Sequence, residues 1–282
     1  MKVPDDIEAE LAARIAPWLE HMRWRRDFDS WRERRLHQEH YQEEHLAHVR
    51  AVCPSPAGRT VLDLGAGMGG FAVAMAWEGA HVFALEYHED YCQITRLRGR
   101  RYGLDLPIVR AAGEALPFPA DSFDWVCCWD VLEHVQNPQA VLAEAYRVLH
   151  PGGVLLLTVM NRWAFYDPHY HLPGINWLPR PWAEALIRRL GRGKGRAAFS
   201  DRQALSEMHY FTWGTFCRLA EAIGFQVEDV GERRLRSGLF PSRRPWRRRL
   251  RTVLRALSLE RPAYFLARAF LLPVFEVALW KR

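Results

Sequence analysis

The sequence predicts an α/β protein built on a doubly wound, mostly parallel sheet. Short apolar runs such as residues 61–64 and 81–85 alternate with segments of helical character, as in a parallel sheet that is buried on both faces. A turn after the first run carries glycine at every second position, at Gly65, Gly67 and Gly69. With 282 residues, 49% of them apolar, the chain can form one large core with additional segments.

The turn after the first strand has the composition of a ligand contact. Glycine adopts positive φ and has no side chain, so the backbone of such a turn can lie close to a bound molecule. Asp63 precedes Gly65 by two residues, and a helix is expected to begin at Phe71. The spacing differs from the Gly-x-Gly-x-x-Gly of dinucleotide-binding folds, although the strand–turn–helix order is related.

The second and third predicted strands also end in residues typical of a nucleotide site. The second strand ends in Glu86, followed by Tyr87. An acidic residue at this place accepts hydrogen bonds from both hydroxyls of a ribose. The third strand lies near residues 107–111 and is followed by Gly113 and Glu114.

The fourth and fifth predicted strands complete the pattern. Residues 125–129 form an apolar run that leads into Asp130 and then into Glu133 and His134. The fifth run, residues 154–159, follows a Pro-Gly-Gly turn. Five strands in this order place the polar residues at one edge of the sheet, where such folds bind ligands.

Residues 60–159 resemble the class I S-adenosylmethionine-dependent methyltransferases, with a weaker likeness at residues 211–230. The subgroup that includes the ubiquinone-pathway O-methyltransferases is the most similar, through residues 116–118, 123–124 and 132–134. The resemblance implies a Rossmann-like sheet, S-adenosylmethionine as cofactor and activity as an enzyme.

The resemblance also implies which residues bind the cofactor. Asp63, Gly65 and Gly67 would contact its methionine part, and Glu86 would hold the ribose. The family often has an acidic residue at the position of Ala112 to bind the adenine amino group, and here Glu114, the backbone or no group would replace it. The expected cofactor-binding set is Asp63, Gly65, Gly67, Gly69, Glu86, Tyr87, Gly113, Glu114 and Asp130.

Four residues are expected to be catalytic by the same resemblance: Asp130, Glu133, His134 and His209. The first three match a trio that binds Mg²⁺ or activates a hydroxyl in the quinone-pathway enzymes, and His209 stands where relatives often place an active-site histidine. A purely structural role for Glu133 and His134 is the alternative. The resemblance allows a Mg²⁺ ion without requiring one.

Residues 161–208 form an insertion, which we expect to cover the substrate as a lid. It contains a predicted helix near residues 182–190, and His169 and His171 are candidates to face the acceptor. Its aromatic residues favour an apolar or ring-stacking substrate. They are Trp163, Phe165, Tyr166, Tyr170, Trp177 and Trp182.

Residues 1–50 are predicted to form a helical cap over the cofactor pocket, with Trp31 and Tyr41 as contacts. Four histidines of this segment are expected to lie on a solvated helix face and not in a metal site: His37, His40, His45 and His48. The five cysteines lack paired spacing, which predicts buried free thiols. The acidic, polar start of the chain predicts a cytoplasmic protein.

Residues 231–282 differ from the rest of the chain in charge. This tail has 14 arginines and lysines against three acids, and the remaining chain is mildly acidic. At 100° per residue, an apolar stripe and an arginine face lie on opposite sides of a predicted helix. The stripe is Trp246, Leu250, Val253, Leu254 and Leu257, and the basic face is Arg244, Arg247, Arg248, Arg251 and Arg255.

Such a helix favours the interface of an anionic membrane. We expect residues 263–280, interrupted by Pro273, to form a second interfacial or re-entrant piece. The alternative is that the tail packs on the domain or forms a homodimer. Nucleic acid is a less favoured partner, because the apolar stripe is too extended for a surface that binds phosphates.

The sequence therefore predicts a Rossmann-like core at residues 51–160 and 209–230, between the cap, the lid and the basic tail. The expected function is methylation of a hydroxyl of a lipophilic or lipid-linked small-molecule acceptor, at the inner face of the membrane. The alternatives are a soluble small-molecule or sugar methyltransferase with a dimerising tail, and a cofactor-binding protein without catalysis.

Overall fold

The computed structural model of the protein describes residues 5–53, 55–190, 203–237 and 252–282. Its strands are β1 (Thr60–Leu64), β2 (His81–Glu86), β3 (Ile108–Arg110), β4 (Phe123–Cys128), β5 (Leu149–Met160), β6 (Tyr166–Asp167), β7 (Leu172–Pro173), β8 (Phe225–Asp229) and β9 (Val274–Lys281). Its longer helices are α1 (Asp5–Leu19), α2 (Phe28–Leu36), α3 (Glu43–Val52), α4 (Gly70–Trp77), α5 (Glu89–Arg101), α6 (Pro138–Val148), α7 (Arg180–Leu190), α8 (Trp213–Ile223), α9 (Val230–Arg236) and α10 (Glu260–Phe270).

Seven strands form one mixed sheet in the order β3-β2-β1-β4-β5-β9-β8. The first five are parallel to one another, and β9 runs antiparallel to both β5 and β8. Two apolar clusters cover the two faces of the sheet, since alternate residues of each strand point to opposite sides. The predicted α/β fold and its first five strands are confirmed.

Strand β9 corrects one expectation. Residues 274–281, expected to lie at a membrane interface, pair with β5 in the register Leu156↔Ala278. Val277, Ala278 and Leu279 are fully buried. Successive side chains of this apolar run point to opposite faces of the sheet, so a strand can bury side chains on both faces. Pro273 separates the strand from the helix before it.

The basic amphipathic helix predicted near residues 244–257 falls mostly outside the described residues, which resume at 252. Helix α10 follows, with Tyr264 buried and Leu266 exposed. Within the described ranges, no helix is long and apolar enough to cross a membrane.

The N-terminal segment is helical, as predicted. Leu11, Ile15 and Leu19 of α1 pack with Ile94 and Leu97 of α5. The first helices are thereby fixed beside the segments that follow β1 and β2. All five cysteines are free thiols, and all except Cys217 are buried, which confirms that expectation.

Candidate active site

The three glycines after β1 all have positive φ, but their surroundings differ. A Cβ at Gly65 would lie 2.3 Å from Val131, and one at Gly69 would lie 2.6 Å from Thr95. At Gly67 no described atom lies within 4 Å of that position. Gly65 and Gly69 therefore let neighbouring protein segments approach, whereas Gly67 borders open space that a ligand can occupy.

Glu86 holds this turn in place. One of its carboxylate oxygens accepts a hydrogen bond from the Gly67 N–H and the other from the His88 N–H, each at 2.8 Å. The carboxylate lies at the end of β2, as predicted. Its contact with a ribose remains a prediction.

Asp63 is a buried carboxyl group directly before the turn. Burial, together with the nearby charge of Glu86, raises the pKa of Asp63 to about 8. Its Oδ2 atom has no hydrogen-bond partner among the described residues. A buried acceptor without a partner fits the ammonium group of S-adenosylmethionine, which would supply both a donor and a positive charge.

The predicted adenine side of the site lies after β2 and β3. Tyr87 is exposed, and a Cβ built at Gly113 would lie 3.4 Å from Leu64 and from Val141. Glu114 Oε1 accepts hydrogen bonds from the N–H groups of Gln136 and Asn137, at 2.9 Å and 3.3 Å. Glu114 therefore fastens the segment after β4, and its contact with adenine remains a prediction.

A cavity of about 660 Å³ begins beside this turn. Met68 and Tyr91 line it on the side of the turn, and Asp130 and Thr158 line it at the ends of β4 and β5. The N-terminal helices, the insertion and the start of β9, with Pro273, Val274 and Glu276, form the remaining walls. The cavity thus extends from the expected cofactor site to the segments expected to cover the substrate.

The aromatic residues of the cavity are not those expected. Among the described aromatic side chains of the insertion only Tyr170 is buried, and none lines this cavity. The lining aromatic residues are Trp18, Trp24, Trp31 and Tyr91. The insertion contributes Pro168, His169 and His171 instead. Trp31 was predicted as a contact, whereas Tyr41 is exposed and lies outside the lining.

Two histidines of α3 line the same cavity, which corrects the expectation of a solvated helix face. The ring of His45 stacks on Trp129 at 4.8 Å. Burial lowers the pKa of His48 to about 3, so this imidazole is neutral. His45, His48, Val49 and Val52 recur at helical spacing on one face, and this pattern could have revealed their position.

Glu133, His134 and His169 form a compact cluster. The two Nε2 atoms are 3.3 Å apart. Glu133 Oε1 lies 3.7 Å from His134 Nε2 and 3.5 Å from His169 Nε2. Glu133 and His134 are neighbours in the sequence, and the insertion supplies His169.

Asp130 does not join this cluster, in contrast to the trio that the resemblance implies. The backbone of Asp130 has a φ of 54°, and the Asp130 carboxylate accepts a hydrogen bond from the Thr158 hydroxyl at 3.0 Å. Mg²⁺ prefers an octahedron of oxygen ligands. The predicted Asp130–Glu133–His134 arrangement is not formed, and two imidazoles with one carboxylate do not fit Mg²⁺.

His209, the fourth expected catalytic residue, reaches the cluster through its backbone. Its N–H donates to the carbonyl of Glu133 at 3.0 Å, and its side chain is not among the described residues that line the cavity. This bond supports the segment of Glu133, and a catalytic role of the His209 side chain remains a prediction. Tyr210, the next residue, contacts the cluster instead: its hydroxyl lies 3.4 Å from His169 Nδ1.

Comparison with known proteins agrees with this geometry. Residues 62–157 match the family model described as a methyltransferase domain. The ubiquinone biosynthesis O-methyltransferase of Hahella chejuensis is 39% identical over 114 residues, which are 40% of this chain and 47% of that protein. The enzyme of the same name from Xanthomonas axonopodis pv. citri is 32% identical over 197 residues, 70% of this chain and 71% of that protein. The chain belongs to the S-adenosylmethionine-dependent methyltransferases.

Solved structures of low sequence identity share the methyltransferase fold. The YcgJ protein of Bacillus subtilis is 18% identical, with a TM-score of 0.51 and coverage of 86% of this chain and 99% of that chain. Phosphoethanolamine N-methyltransferase 2 of Haemonchus contortus, in complex with S-adenosylmethionine, is 17% identical, with a TM-score of 0.50 and coverage of 84% and 51%. Membership of the family makes S-adenosylmethionine the methyl donor and implies a small-molecule methyl acceptor, which the fold alone does not identify.

Proposed function

We propose that the enzyme methylates a hydroxyl group of a lipophilic acceptor, a phenol with an isoprenoid chain being the model case. The observation that carries this proposal is the cavity between the glycine turn and the Glu133–His134–His169 cluster. Its aromatic walls suit an apolar ring. Similarity to enzymes named ubiquinone biosynthesis O-methyltransferase supports the same class of acceptor.

The reaction needs alignment and removal of one proton. The acceptor oxygen attacks the methyl carbon, the carbon–sulfur bond breaks in line, and S-adenosylhomocysteine leaves. The carboxylate of Asp130, which lines the cavity, would attract the positive sulfonium group. His169 also lines the cavity, so the cluster to which it belongs would promote loss of the hydroxyl proton.

The test is a transfer assay with the purified full-length protein, S-adenosylmethionine and a panel of prenylated catechols, read by mass spectrometry of the products. We expect one added methyl group on oxygen. Short-chain catechols should react more slowly, because they leave the apolar walls unfilled. Binding of S-adenosylhomocysteine without methylation of any hydroxyl in the panel would contradict the proposal and favour a non-catalytic cofactor-binding protein.

We also propose that the enzyme acts at the inner face of a membrane, through an exposed apolar surface. This apolar surface comprises Trp163, Phe165, Trp177, Leu266, Phe270 and Leu271, all of them exposed. The Phe165 N–H donates to the Phe270 carbonyl at 2.7 Å, which joins the insertion to α10. Contiguous apolar surface of this kind is typical of an interaction site.

Two further features favour a lipid partner for the apolar surface. Arg162 lies over the ring of Trp163 and Arg261 over that of Phe265, at 5.0 Å and 5.8 Å. Arginine beside the exposed Trp163 and the half-buried Phe265 suits the boundary between acyl chains and anionic headgroups. A second cavity, of about 480 Å³, lies between Trp163, Trp213 and Phe270 and could hold an apolar chain.

A further inference from the structure

The hydrogen bonds around His134 fix which of its nitrogens carries a proton. Gln203 Nε2 donates to the His134 carbonyl at 2.7 Å, so Gln203 Oε1 is oriented as an acceptor. That oxygen lies 2.9 Å from His134 Nδ1, which must therefore be the donor. In the neutral ring, Nε2 then presents its lone pair to the cluster.

The same reasoning applies to His169. The Tyr210 hydroxyl donates to Asp167 Oδ2 at 3.0 Å, so its oxygen is left to accept from His169 Nδ1. His169 Nε2 therefore also presents a lone pair.

Glu133 brings a third acceptor to the same point. Its side chain is 1% exposed, and neither carboxylate oxygen has a hydrogen-bond partner among the described residues. Two imidazole lone pairs and a buried carboxylate facing one another are unfavourable unless a proton or a metal cation lies between them. The cluster therefore has the electrostatics of a cation site.

The distances select the kind of cation. Zinc bonds of about 2.0–2.2 Å in a tetrahedron place ligand atoms about 3.3–3.6 Å apart. The three separations here are 3.3, 3.5 and 3.7 Å. An octahedral Mg²⁺ at about 2.1 Å would place adjacent ligands about 3.0 Å apart.

We propose that Glu133, His134 and His169 bind a Zn²⁺ ion, with the described residues supplying three ligands. One carboxylate and two imidazoles form a ligand set that zinc accepts. Gln203 and the Tyr210–Asp167 pair are the outer contacts that orient the two rings, as is usual for metal-bound histidines. His169 places this site at the wall of the cavity.

A zinc ion with an open position would also explain how the acceptor is activated, a consequence that rests on the proposed function. A hydroxyl bound there would lose its proton to solvent more readily, leaving the oxygen with the electron pair that attacks the methyl carbon. The site differs from the one implied by resemblance in two ways. His169 of the insertion replaces Asp130, and the ion is zinc, not magnesium.

The test measures metal content independently of activity. Full-length protein without a histidine tag is dialysed against Zn²⁺, freed of excess metal and analysed by mass spectrometry of the elements. We expect about one zinc per chain in the wild type. His169→Gln and Glu133→Gln should each reduce the content at least tenfold, while Asp130→Asn and His171→Gln should retain it.

Circular dichroism shows whether each variant is folded, and a Co²⁺-loaded wild type gives a second readout. We expect the visible spectrum of tetrahedral Co²⁺, unchanged by excess Mg²⁺. Wild type that retains no zinc, or zinc that His169→Gln does not remove from a folded chain, would overturn the proposal. Zinc binding without methylation would support the metal site and contradict the proposed function, so the two failures are distinguishable.

Discussion

Gly67 and Gly58 share a backbone conformation but differ in their surroundings. Their φ values are 55° and 74°, and no described atom lies within 4 Å of a Cβ built at either position. Only Gly67 belongs to the turn that Glu86 holds. Substitution at Gly58 therefore measures backbone strain alone, whereas substitution at Gly67 measures backbone strain together with any effect on ligand binding.

Replacing either glycine with alanine should destabilise the fold by about 1–2 kcal/mol, because an L-residue is strained at positive φ. Only Gly67→Ala should also weaken S-adenosylhomocysteine binding, about tenfold or more, since its methyl group enters the open space beside the turn. Calorimetric titration measures the affinity and thermal unfolding measures the strain. Equal affinities in the two variants would argue against a cofactor at Gly67.

Asp63 should make cofactor binding depend on pH. Its pKa is raised to about 8, so between about pH 4 and pH 8 the folded chain holds a proton that the unfolded chain has lost. The contribution of Asp63 to stability therefore falls as pH rises through that window. The ionised form pairs with the ammonium of the cofactor, so we expect affinity to increase from about pH 6 to about pH 8.

Calorimetry of S-adenosylhomocysteine binding at several pH values measures this dependence. Asp63→Asn is the control, since an amide does not titrate and its affinity should be low and nearly constant over the same range. A wild-type affinity that stays flat in this window would show that Asp63 does not meet the ammonium group.

At the scale of elements, Arg98 of α5 connects the N-terminal helices to the glycine turn. Its guanidinium donates to the carbonyls of Met68, Leu36 and Arg35 at 2.7, 2.8 and 3.0 Å and pairs with buried Glu39. Arg101 pairs with the same Glu39 and also donates to the Leu36 carbonyl, but it has no bond to the turn.

Lysine at either position keeps the charge but loses the planar fork of donors, which should destabilise the protein by about 1–3 kcal/mol. Only Arg98→Lys should also lower affinity for S-adenosylhomocysteine, because Met68 then loses its support. Thermal unfolding and calorimetric titration of the two variants separate the effects. An equal loss of affinity in Arg101→Lys would show that the cap as a whole, and not the contact to the turn, controls binding.

The exposed apolar surface should determine membrane binding. Deleting residues 231–282 would remove β9 from the sheet, so a truncated protein could not test membrane binding. Leu266 and Leu271 are exposed and can be substituted instead. We expect wild type to float with vesicles containing phosphatidylglycerol, less so at high salt. The double variant Leu266→Glu/Leu271→Glu should stay at the bottom of the gradient.

Tyr41→Glu is the control for this flotation experiment, since Tyr41 is 57% exposed and lies on the N-terminal segment. Its flotation should equal that of wild type. Unchanged flotation of the double variant would exclude the apolar surface as the membrane contact. A wild type that sediments as a dimer, with the double variant monomeric, would assign the same surface to subunit contact instead.

The core of this methyltransferase can be predicted from local features of the amino-acid sequence. Apolar strands followed by a glycine turn and Glu86 specify their own structure locally, because strand period, positive φ and helix starts depend on neighbouring residues. The edge of the sheet that carries Asp63, Glu86 and Asp130 followed from the parallel order of the strands.

The residues that face that edge across the cavity could be identified only from the folded structure. Pairing of β9 with β5, burial of His48 and the meeting of His169 with Glu133 each join positions far apart in the chain. Hydrophobic period alone could not separate a buried strand at residues 274–281 from an interfacial segment, since both are apolar. Side chains that meet through long-range packing leave no local pattern in the sequence. The Glu133–His134–His169 cluster is of this kind.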